Sequence, residues 1–323
     1  MRRVFFIVGP TATGKSELGA DVAHELNAEI VSADAFQIYR GLDLLTAKPE
    51  ASTLAKTPHH LIGTTPRLEE MNVEKFRRQA LRAIEEINSR GRLAIVVGGS
   101  GLYVKALTHG LAPLPASDPK LREKLNAMTL DELRSKLIEL DPETARKIDV
   151  KNRRRLVRAF EICLLTGKPA SEQREQWTVA VSLCEARGAA DIADRRGASH
   201  SEAAKGVFVF RDRQELYARI NQRVEAMFEN GVIEEVRASG ATSATASQMI
   251  GLREIRQLLE GKMSLLQCIA QIQQATRRYA KRQLTWFRRQ TNFCPLNLSL
   301  LSHNEAVKWI LLRMLSGVRA RDD

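Results

Sequence analysis

The sequence predicts an α/β fold of the P-loop NTPase type, in which helices flank a parallel sheet, with a helical insertion domain and C-terminal helices. The first observation is a continuous apolar run, Val4 to Val8, that leads into a glycine-bearing loop and then into apolar residues at four-residue spacing. The second is that two further apolar runs, Ala28 to Val31 and Leu93 to Val97, alternate with helical patterns. The third is a change to charged, leucine-rich segments after about residue 113. Strands that alternate with helices predict a parallel sheet covered on both faces.

Helical periodicity and breakers define the remaining elements. Phe76, Ala80, Ile84 and Ile87 mark one face of a helix that Gly91 can terminate. Val207 to Phe210 has the composition of a strand that returns the chain to the sheet. The last part of the chain predicts three helices: Leu216 to Gly231, Ser247 to Gly261 and Leu265 to Gln290.

The chain is longer than a single core usually organises, which predicts more than one domain. We expect a first part of the core domain at 1–113, a mainly helical insertion at 114–205 and a second part of the core at 206–323. A proline-rich segment from Leu111 to Pro119 is typical of a linker. Gly188 to Gly206 is poor in large apolar residues, and we expect a mobile loop there. The apolar anchors of the insertion are Leu121, Leu125, Leu133, Leu137 and Leu140.

The charge is strongly positive, with 50 Lys and Arg against 38 Asp and Glu, a net +12 and a pI near 9.8. Such a field attracts polyanions, although charge alone leaves nucleic acid, phosphorylated metabolites and anionic membranes open. No apolar run approaches the ~18 residues of a membrane span, so we expect a cytoplasmic protein without membrane attachment. The cysteines are too far apart for a zinc motif, which predicts reduced thiols. They are Cys163, Cys184, Cys268 and Cys294.

A phosphate-binding loop is the most specific motif. It fits the pattern GxxxxGK[ST] at every fixed position and lies between a predicted strand and a predicted helix, as the chemistry requires. Loop amides and the helix N-terminus face phosphate oxygens, Lys15 adds a charge, and the Ser16 hydroxyl can ligate Mg²⁺. A glycine turn that binds nothing is the structural alternative, which the strand and helix context disfavours. The motif consists of Gly9, Pro10, Thr11, Ala12, Thr13, Gly14, Lys15 and Ser16.

The acidic residue that accompanies this loop is not where kinases and ATPases usually have it. Such proteins commonly hold Mg²⁺ with an Asp at the end of a second buried strand. Here the strand Leu93 to Val97 ends in Gly98-Gly99-Ser100-Gly101, without a carboxylate. Asp34, after the strand Ala28 to Val31, is the one acid offered at the edge where the strands meet the loop. It could ligate Mg²⁺ or remove a proton.

Several segments together resemble the tRNA dimethylallyltransferase family over roughly residues 4 to 290. In chain order they are the phosphate loop, Ser32 to Asp43, Thr46 to Pro49, His59 to Ile62, Val97 to Tyr103, Asn152 to Glu161, Leu165 to Pro169, Leu216 to Arg223, Gln248 to Ile255 and Tyr279 to Arg288. The combination is far more specific than the loop alone. Ala35 and Ser100 depart from the family pattern, where Ser and Thr are usual.

The resemblance implies a reaction and its substrates. The loop would bind the diphosphate of dimethylallyl diphosphate rather than ATP, and the insertion would grip the tRNA anticodon stem-loop. The product would be tRNA with a prenylated exocyclic amine on adenosine at position 37 of the tRNA. Mg²⁺ would be the cofactor, and we expect a monomer.

Catalytic roles follow from the poor nucleophilicity of that amine, which benefits from a base and from stabilisation of the departing diphosphate. The resemblance and the strand-end location favour Asp34 as the base, whereas the alternative is an Asp that caps a turn or holds Mg²⁺ through water. Lys15 and Mg²⁺ on Ser16 would oppose the leaving-group charge. Ser100 would donate to the bridging oxygen or orient Asp34, or would only permit a tight turn.

The resemblance also implies a set of RNA contacts. Gln37 could read the edge of a flipped adenine, and Phe36 could stack on a base or belong to the core. A solvated basic face is the alternative for the arginines of the set, and the resemblance disfavours it. A second basic surface is expected on the predicted helix Leu265 to Gln290, and the His59-His60 pair lacks a second ligand set and predicts no metal site. The expected tRNA contacts are Asp34, Ala35, Phe36, Gln37, Ser100, Arg122, Arg154, Arg155, Leu156, Val157 and Arg158.

Three other functions remain open from the residues. An enzyme that prenylates free AMP or ATP would not require the basic insertion and the basic last core helix. A P-loop small-molecule kinase is disfavoured by the missing Asp after Val97. A noncatalytic RNA-binding protein with a vestigial loop is disfavoured because Lys15, Ser16 and Asp34 are intact.

Overall fold

The core is one sheet of six parallel strands. A computed structural model describes residues 3–111, 114–149, 152–175, 206–290 and 292–319. The strand order is β3-β2-β4-β1-β5-β6, and every neighbouring pair is parallel. The strands are β1 (Val4–Val8), β2 (Glu29–Ser32), β3 (His59–His60), β4 (Ala94–Gly98), β5 (Gly206–Phe210) and β6 (Cys294–Asn297).

Helices connect and cover these strands. Among the described residues, none of them is long and apolar enough to cross a membrane. The helices are α1 (Lys15–Glu25), α2 (Ala51–Leu54), α3 (Val73–Ser89), α4 (Gly101–Thr108), α5 (Pro119–Ala127), α6 (Leu130–Leu140), α7 (Pro142–Lys147), α8 (Arg153–Thr166), α9 (Ala170–Glu175), α10 (Arg213–Glu229), α11 (Val232–Ala238), α12 (Leu252–Leu259), α13 (Leu265–Phe287) and α14 (His303–Arg319).

Both faces of the sheet are buried, which explains why β1 and β4 are apolar without alternation. In β1, Phe5 and Ile7 pack with α1 and α14 on one face. Phe6 and Val8 pack on the other face with α3, α4 and helices α10 to α13. Side chains of a strand point alternately to opposite faces, so a strand covered twice needs apolar residues throughout.

The topology gathers loops at one edge of the sheet. Because the strands are parallel, the loops after β1, β2, β4 and β5 all leave from the carboxyl edge. Close backbone approach fixes the spacing there. A Cβ added to Gly98 would lie 2.3 Å from the Ala33 carbonyl oxygen, so only glycine fits between β4 and β2.

The described residues divide into two compact units. One unit holds the sheet and comprises residues up to Thr108 and from Gly206 onwards, and the other runs from His109 to Glu175. The second unit contains α5 to α9 around a small core of leucines, with Leu125, Leu133 and Leu137 fully buried. Thr129 and Glu132 form a capping box at the start of α6, and Gly167 ends α8 with φ of 66°. The predicted domain boundaries stay a prediction, because residue 113 and residues 176–205 lie outside the described part.

The main strands and helices are where the sequence places them, although β6, α11 and α14 were not predicted. There are three further differences. The predicted helix Ser247 to Gly261 is confirmed from Leu252 to Leu259 and begins too early, because Gly251 has φ of 97° and separates a single 3₁₀ turn from α12. Leu140 is 43% exposed and does not anchor the second unit. His59 and His60 form the short strand β3 rather than a loop. The loop expected from Gly188 lies outside the described residues, apart from Gly206, which begins β5.

A buried carboxylate supports the edge of the sheet opposite the phosphate loop. Glu29 begins β2, and its side chain is only 3% exposed. It accepts hydrogen bonds from Arg90 at 2.8 Å, from His60 at 2.7 Å and from Arg92 at 3.1 Å. Burial alone would raise the pKa of Glu29, but these hydrogen bonds outweigh it and hold the pKa below its usual range.

We predict that Glu29 contributes stability that is lost in acid. A carboxyl with a lowered folded-state pKa stabilises the fold above its unfolded pKa, and that contribution disappears as the pH falls through the folded pKa. Glu29→Gln should lower the unfolding free energy by about 2 kcal/mol at pH 7 and should flatten the loss of stability between pH 6 and pH 3. Urea unfolding across this pH range measures both. An equally steep acid limb in the variant would contradict the assignment.

Candidate active site

The phosphate loop, Gly9 to Ser16, lies between the end of β1 and the start of α1. Gly14 has φ of 91°, a left-handed conformation that favours glycine, and Ala12 also has positive φ at 65°. The Gly9 amide donates to the Gly98 carbonyl at 3.2 Å, which ties the loop to the end of β4. Within the part of the chain that the structure describes, no side chain caps the N-terminal amides of α1. These amides are therefore available to an anion.

Lys15 points back over its own loop. Its Nζ donates to the Pro10 carbonyl at 3.1 Å. Burial lowers the pKa of Lys15 to about 8, an effect that the Asp34 carboxylate opposes and the Arg223 guanidinium reinforces. The ammonium is thus held in a poorly solvated position, where an incoming phosphate oxygen would gain a strong interaction.

Three arginines surround the loop, and they were not among the predicted site residues. Arg211 Nε donates to the Thr13 carbonyl at 2.9 Å, Arg219 Nε to the Ala12 carbonyl at 2.9 Å, and Arg223 Nη1 to the Thr11 hydroxyl at 2.9 Å. The buried Arg223 Nε has no hydrogen-bond partner within the described residues. The sequence signal is the four-residue interval that repeats from Arg211 to Arg223 and places these side chains on one face of α10 and the turn before it.

Asp34 lies two residues beyond β2 at the same edge. Its Oδ1 accepts from the Phe36 amide at 2.9 Å and from the Gln37 amide at 3.3 Å, which fixes the carboxylate against the start of the next turn. Oδ2 has no hydrogen-bond partner in the described part of the chain. One oxygen therefore holds the group in place, and the other is available for chemistry. The carboxylate also acts on the pKa values of Lys15 and Arg223, which places all three in one electrostatic neighbourhood.

Ser100 joins the loop after β4 to the Asp34 segment. Its hydroxyl oxygen accepts from the Ala35 amide at 3.0 Å, and its own amide donates to the Ala33 carbonyl at 3.3 Å. Tyr279, from α13, lies close to Ser100 and Asp34. Burial, together with the negative charge of Asp34, raises the pKa of Tyr279 well above its usual range, so the phenol stays protonated. Ser100 thus positions the Asp34 turn, and its carbonyl accepts from the Val104 amide in the first turn of α4.

Gln283 is a further site residue that the sequence did not single out. Its side chain is buried, and Oε1 accepts from the Thr11 amide at 2.9 Å while Nε2 donates to the Gly99 carbonyl at 2.8 Å. One side chain therefore connects α13 to the phosphate loop and to the loop that carries Ser100. Trp286, one turn later, packs against Gly101.

The residues after Asp34 differ in what they can offer a ligand. The side-chain Nε2 of Gln37 donates to the Ala47 carbonyl at 2.8 Å. The side-chain donor is therefore occupied, and the side-chain oxygen remains for recognition of a ligand. Phe36 is partly buried against the main core, and Ala35 contributes its amide to Ser100. Gln37 lines a pocket beside the phosphate loop together with Lys15, Ser16, Ser32, Asp34 and His59.

The same pocket contains the oxygen donors that a magnesium ion prefers. Mg²⁺ prefers oxygen ligands and retains several waters. The Ser16 hydroxyl and the Asp34 carboxylate both line this pocket, and the Ser32 hydroxyl group lies with them. Ser16 and Asp34 are the residues that could hold such an ion.

A sequence model of the family described as IPP transferase matches residues 37–290. This chain belongs to the IPP transferase family. A tRNA dimethylallyltransferase from Citrifermentans bemidjiense is 41% identical over 294 residues, 90% of each chain. One from Geobacter sulfurreducens is 38% identical over 316 residues, 95% of this chain and 91% of that one.

Solved structures of IPP transferases have the same fold. A tRNA isopentenylpyrophosphate transferase from Bacillus halodurans has a TM-score of 0.68 and 32% identity, and the match covers 100% of this chain and 98% of that one. A eukaryotic dimethylallyltransferase, described as acting on tRNA, has a TM-score of 0.73 and 25% identity. That match covers 92% of this chain and 74% of the eukaryotic one.

The second unit of this IPP transferase separates the predicted basic residues into two groups. Arg122 makes a bidentate pair with Glu161 at 3.0 Å for both contacts, and Arg158 donates to the same carboxylate at 2.6 Å. The Glu161 side chain is fully buried. Arg154 and Arg155, by contrast, are exposed at the start of α8.

The two apolar residues of the predicted RNA-binding segment lie in the core of the second unit. Leu156 and Val157 are 1% and 5% exposed and belong to the core of the second unit. Their side chains therefore anchor α8 and cannot present themselves to a ligand. Only Arg154 and Arg155 in this segment have exposed side chains.

We predict that Gln283→Leu weakens binding of inorganic diphosphate. The substitution removes the acceptor of the Thr11 amide and the donor to the Gly99 carbonyl, so the loop loses its tether. Affinity should fall about 10-fold, which corresponds to about 1.4 kcal/mol for a buried amide left unpaired. Isothermal calorimetry measures the change. Gln273→Leu, on the same helix but paired with Glu225, is the matched control and should bind diphosphate normally; equal losses in both variants would argue against a specific tether.

Proposed function

We infer that this IPP transferase transfers a dimethylallyl group from dimethylallyl diphosphate to the exocyclic amine of an adenosine in tRNA, with release of diphosphate. The observation that carries this inference is a phosphate loop that shares its sheet edge with one carboxylate, Asp34, in a chain whose relatives are named tRNA dimethylallyltransferases. The segment at the end of β4 is Gly98-Gly99-Ser100, so it offers no second acidic residue that could bind a metal. The arrangement favours group transfer from a diphosphate over phosphoryl transfer.

The phosphate loop would stabilise the departing diphosphate. The free amides at the start of α1, the Lys15 ammonium and the Arg223 guanidinium all converge on this region, where negative charge develops as the carbon–oxygen bond breaks. Mg²⁺ held at Ser16 would add positive charge against the same oxygens. These groups are in place before the substrate arrives, which is the basis of electrostatic preorganisation.

Asp34 would accept the proton of the nucleophile. The amine nitrogen forms a bond to the first carbon of the dimethylallyl group, the bond from that carbon to the diphosphate oxygen breaks, and its electron pair leaves with the diphosphate. The proton lost from nitrogen passes to Asp34 Oδ2, the oxygen without a partner among the described residues. The Phe36 and Gln37 amides keep Oδ1 fixed and so keep Oδ2 oriented. The remaining oxygen of Gln37 could accept from the adenine edge.

The basic surfaces would bind the RNA backbone. Arg154 and Arg155 form one such surface in the second unit. On α13 and just after it, the exposed residues Lys281, Arg282 and Arg288 form another. Phosphate contacts of this kind position an RNA without reading its sequence. The anticodon stem-loop as the bound element, the cytoplasm as the location and a monomeric state stay predictions.

Labelled dimethylallyl diphosphate tests the proposed reaction. The protein is incubated with it and Mg²⁺ in parallel with unmodified tRNA, AMP or ATP, and separately with labelled ATP and candidate small molecules. Label transferred to tRNA alone supports the proposal. Label on AMP or ATP would identify a nucleotide prenyltransferase, and phosphate transfer from ATP would identify a kinase. Tight tRNA binding without any transfer would identify a noncatalytic RNA-binding protein.

We predict that Asp34→Asn slows single-turnover prenyl transfer by ~100-fold or more, because the amide keeps the size of the side chain but cannot accept the proton. Dimethylallyl diphosphate and tRNA should both still bind. Rapid-quench measurement at saturating substrates gives the rate. If high Mg²⁺ restored the variant to near the wild-type rate, Asp34 would be a metal ligand only and not the base.

We predict that replacing both Arg154 and Arg155 with Ala weakens tRNA binding and lowers the slope of log affinity against log salt by roughly one for each phosphate that the variant no longer neutralises. Unfolding should be unchanged, because both side chains are exposed. Filter binding between low and moderate salt measures the slope. The contrasting variant is Arg158→Ala, which leaves the buried Glu161 with one fewer partner and should lower the melting temperature. An unchanged salt slope in the double variant would place the RNA surface elsewhere.

A further inference from the structure

His59 lies on the α1 face of the sheet, although no chemistry has been assigned to it. Its strand β3 pairs with β2 so that His59 is opposite Ile30 and His60 is opposite Val31. Ile30 packs in the core formed with α1, whereas Val31 packs in the core on the other face. His59 accordingly lines the pocket that contains Lys15, Ser16 and Asp34. Its neighbour His60 points away from this pocket and binds Glu29 at 2.7 Å.

The hydrogen bonding of the His59 ring fixes its tautomer. Nδ1 is 2.8 Å from the Thr57 carbonyl oxygen, which can only accept, so Nδ1 carries the hydrogen. Burial, with a smaller contribution from His60, lowers the pKa of His59 below its usual value, so Nε2 is an acceptor lone pair. The structure buries this Nε2 and gives it no hydrogen-bond partner within the described residues. A buried acceptor without a donor is costly, and the pocket must supply one when it is filled.

Several chemical groups can be excluded as the hydrogen-bond donor to His59 Nε2. A phosphate oxygen is an acceptor and would be repelled by the lone pair of Nε2. A dimethylallyl carbon offers no donor. Lys15 Nζ already donates to the Pro10 carbonyl at 3.1 Å and serves the phosphate loop. A water bound to a divalent cation is a strong donor, and Mg²⁺ keeps several of its waters when it binds to a protein.

We propose that His59 is a positioning residue for the magnesium ion: its Nε2 accepts a hydrogen bond from a water of the hydrated ion that Ser16 holds in the pocket beside Asp34. The inference rests on the proposed function, since it presumes that a metal accompanies the diphosphate. A direct His59–Mg²⁺ bond is disfavoured by the preference of Mg²⁺ for oxygen. The bond from Nδ1 to the Thr57 carbonyl orients the ring, as backbone partners orient histidines around metal sites.

The test is the affinity of the protein for Mn²⁺ in the presence of inorganic diphosphate and without tRNA, measured from the electron paramagnetic resonance signal of free Mn²⁺. Loss of an outer hydrogen bond of this kind weakens metal affinity by roughly 10-fold or more. His59→Leu should show that loss, and His59→Gln should recover part of it because its amide oxygen can replace the Nε2 acceptor. His60→Gln is the matched control, since it faces the opposite side of the sheet and should bind Mn²⁺ as the wild type does.

Turnover separates positioning from structural damage. In His59→Leu, the Mg²⁺ concentration for half-maximal rate should rise, and the rate at saturating Mg²⁺ should approach that of the wild type. Unchanged Mn²⁺ affinity in His59→Leu would overturn the inference, as would an equal loss in His60→Gln. Ser16→Ala distinguishes failure of the His59 role from failure of the metal site itself. If Ser16→Ala weakens Mn²⁺ binding and His59→Leu does not, only the role of His59 fails; if neither does, the metal site of the proposed function fails.

Discussion

The parallel pairing of β1 with β4 on one side and β5 on the other is the constraint on which the candidate site depends. It brings the phosphate loop, the Ser100 loop and Arg211 to one edge, although they are far apart in the chain. The approach is so close that backbone contacts leave no room for a side chain at Gly9, where a Cβ would lie 2.1 Å from the Val209 carbonyl oxygen. A larger residue at this position would separate the strands and also the groups of the candidate site that they carry.

Positively charged side chains outnumber carboxylates around the phosphate loop. Three arginines reach the phosphate loop through its carbonyl oxygens and the Thr11 hydroxyl, and the carboxylates nearest to them are Asp34 and Glu215, which pairs with Arg211. Burial lowers the pKa of Lys15, Asp34 opposes this effect, and repulsion by the neighbouring Arg223 guanidinium adds to it. A doubly charged anion would relieve this repulsion. Positive side chains therefore lie where a diphosphate would bind, and others lie on exposed surfaces that suit a polynucleotide.

The sequence predicted the parts of the fold that local patterns specify. Each of these parts has a local signal in the sequence. Continuous apolar runs indicate β1, β2, β4 and β5, a motif indicates the phosphate loop, and helical spacing indicates the buried face of α3. It did not predict β3 or β6, because two histidines and a segment with Pro295 carry no strand signal and become strands only by pairing at the edges. Residues brought in from distant helices, such as Gln283 and Arg223, were missed for a related reason. Their roles are defined by their partners and not by their neighbours in the chain.

The ion cluster of the second unit has a consequence for sequence variation. Glu161 is fully buried and shared by Arg122 and Arg158, so each of these residues is costly to change while the others remain. Lysine in place of Arg122 would lose the two-pronged contact that the planar guanidinium makes. An apolar replacement of all three at once would remove the buried charge together with its partners, which is often tolerated in proteins. The three positions are therefore epistatic, and related chains are expected to change them as a set rather than singly.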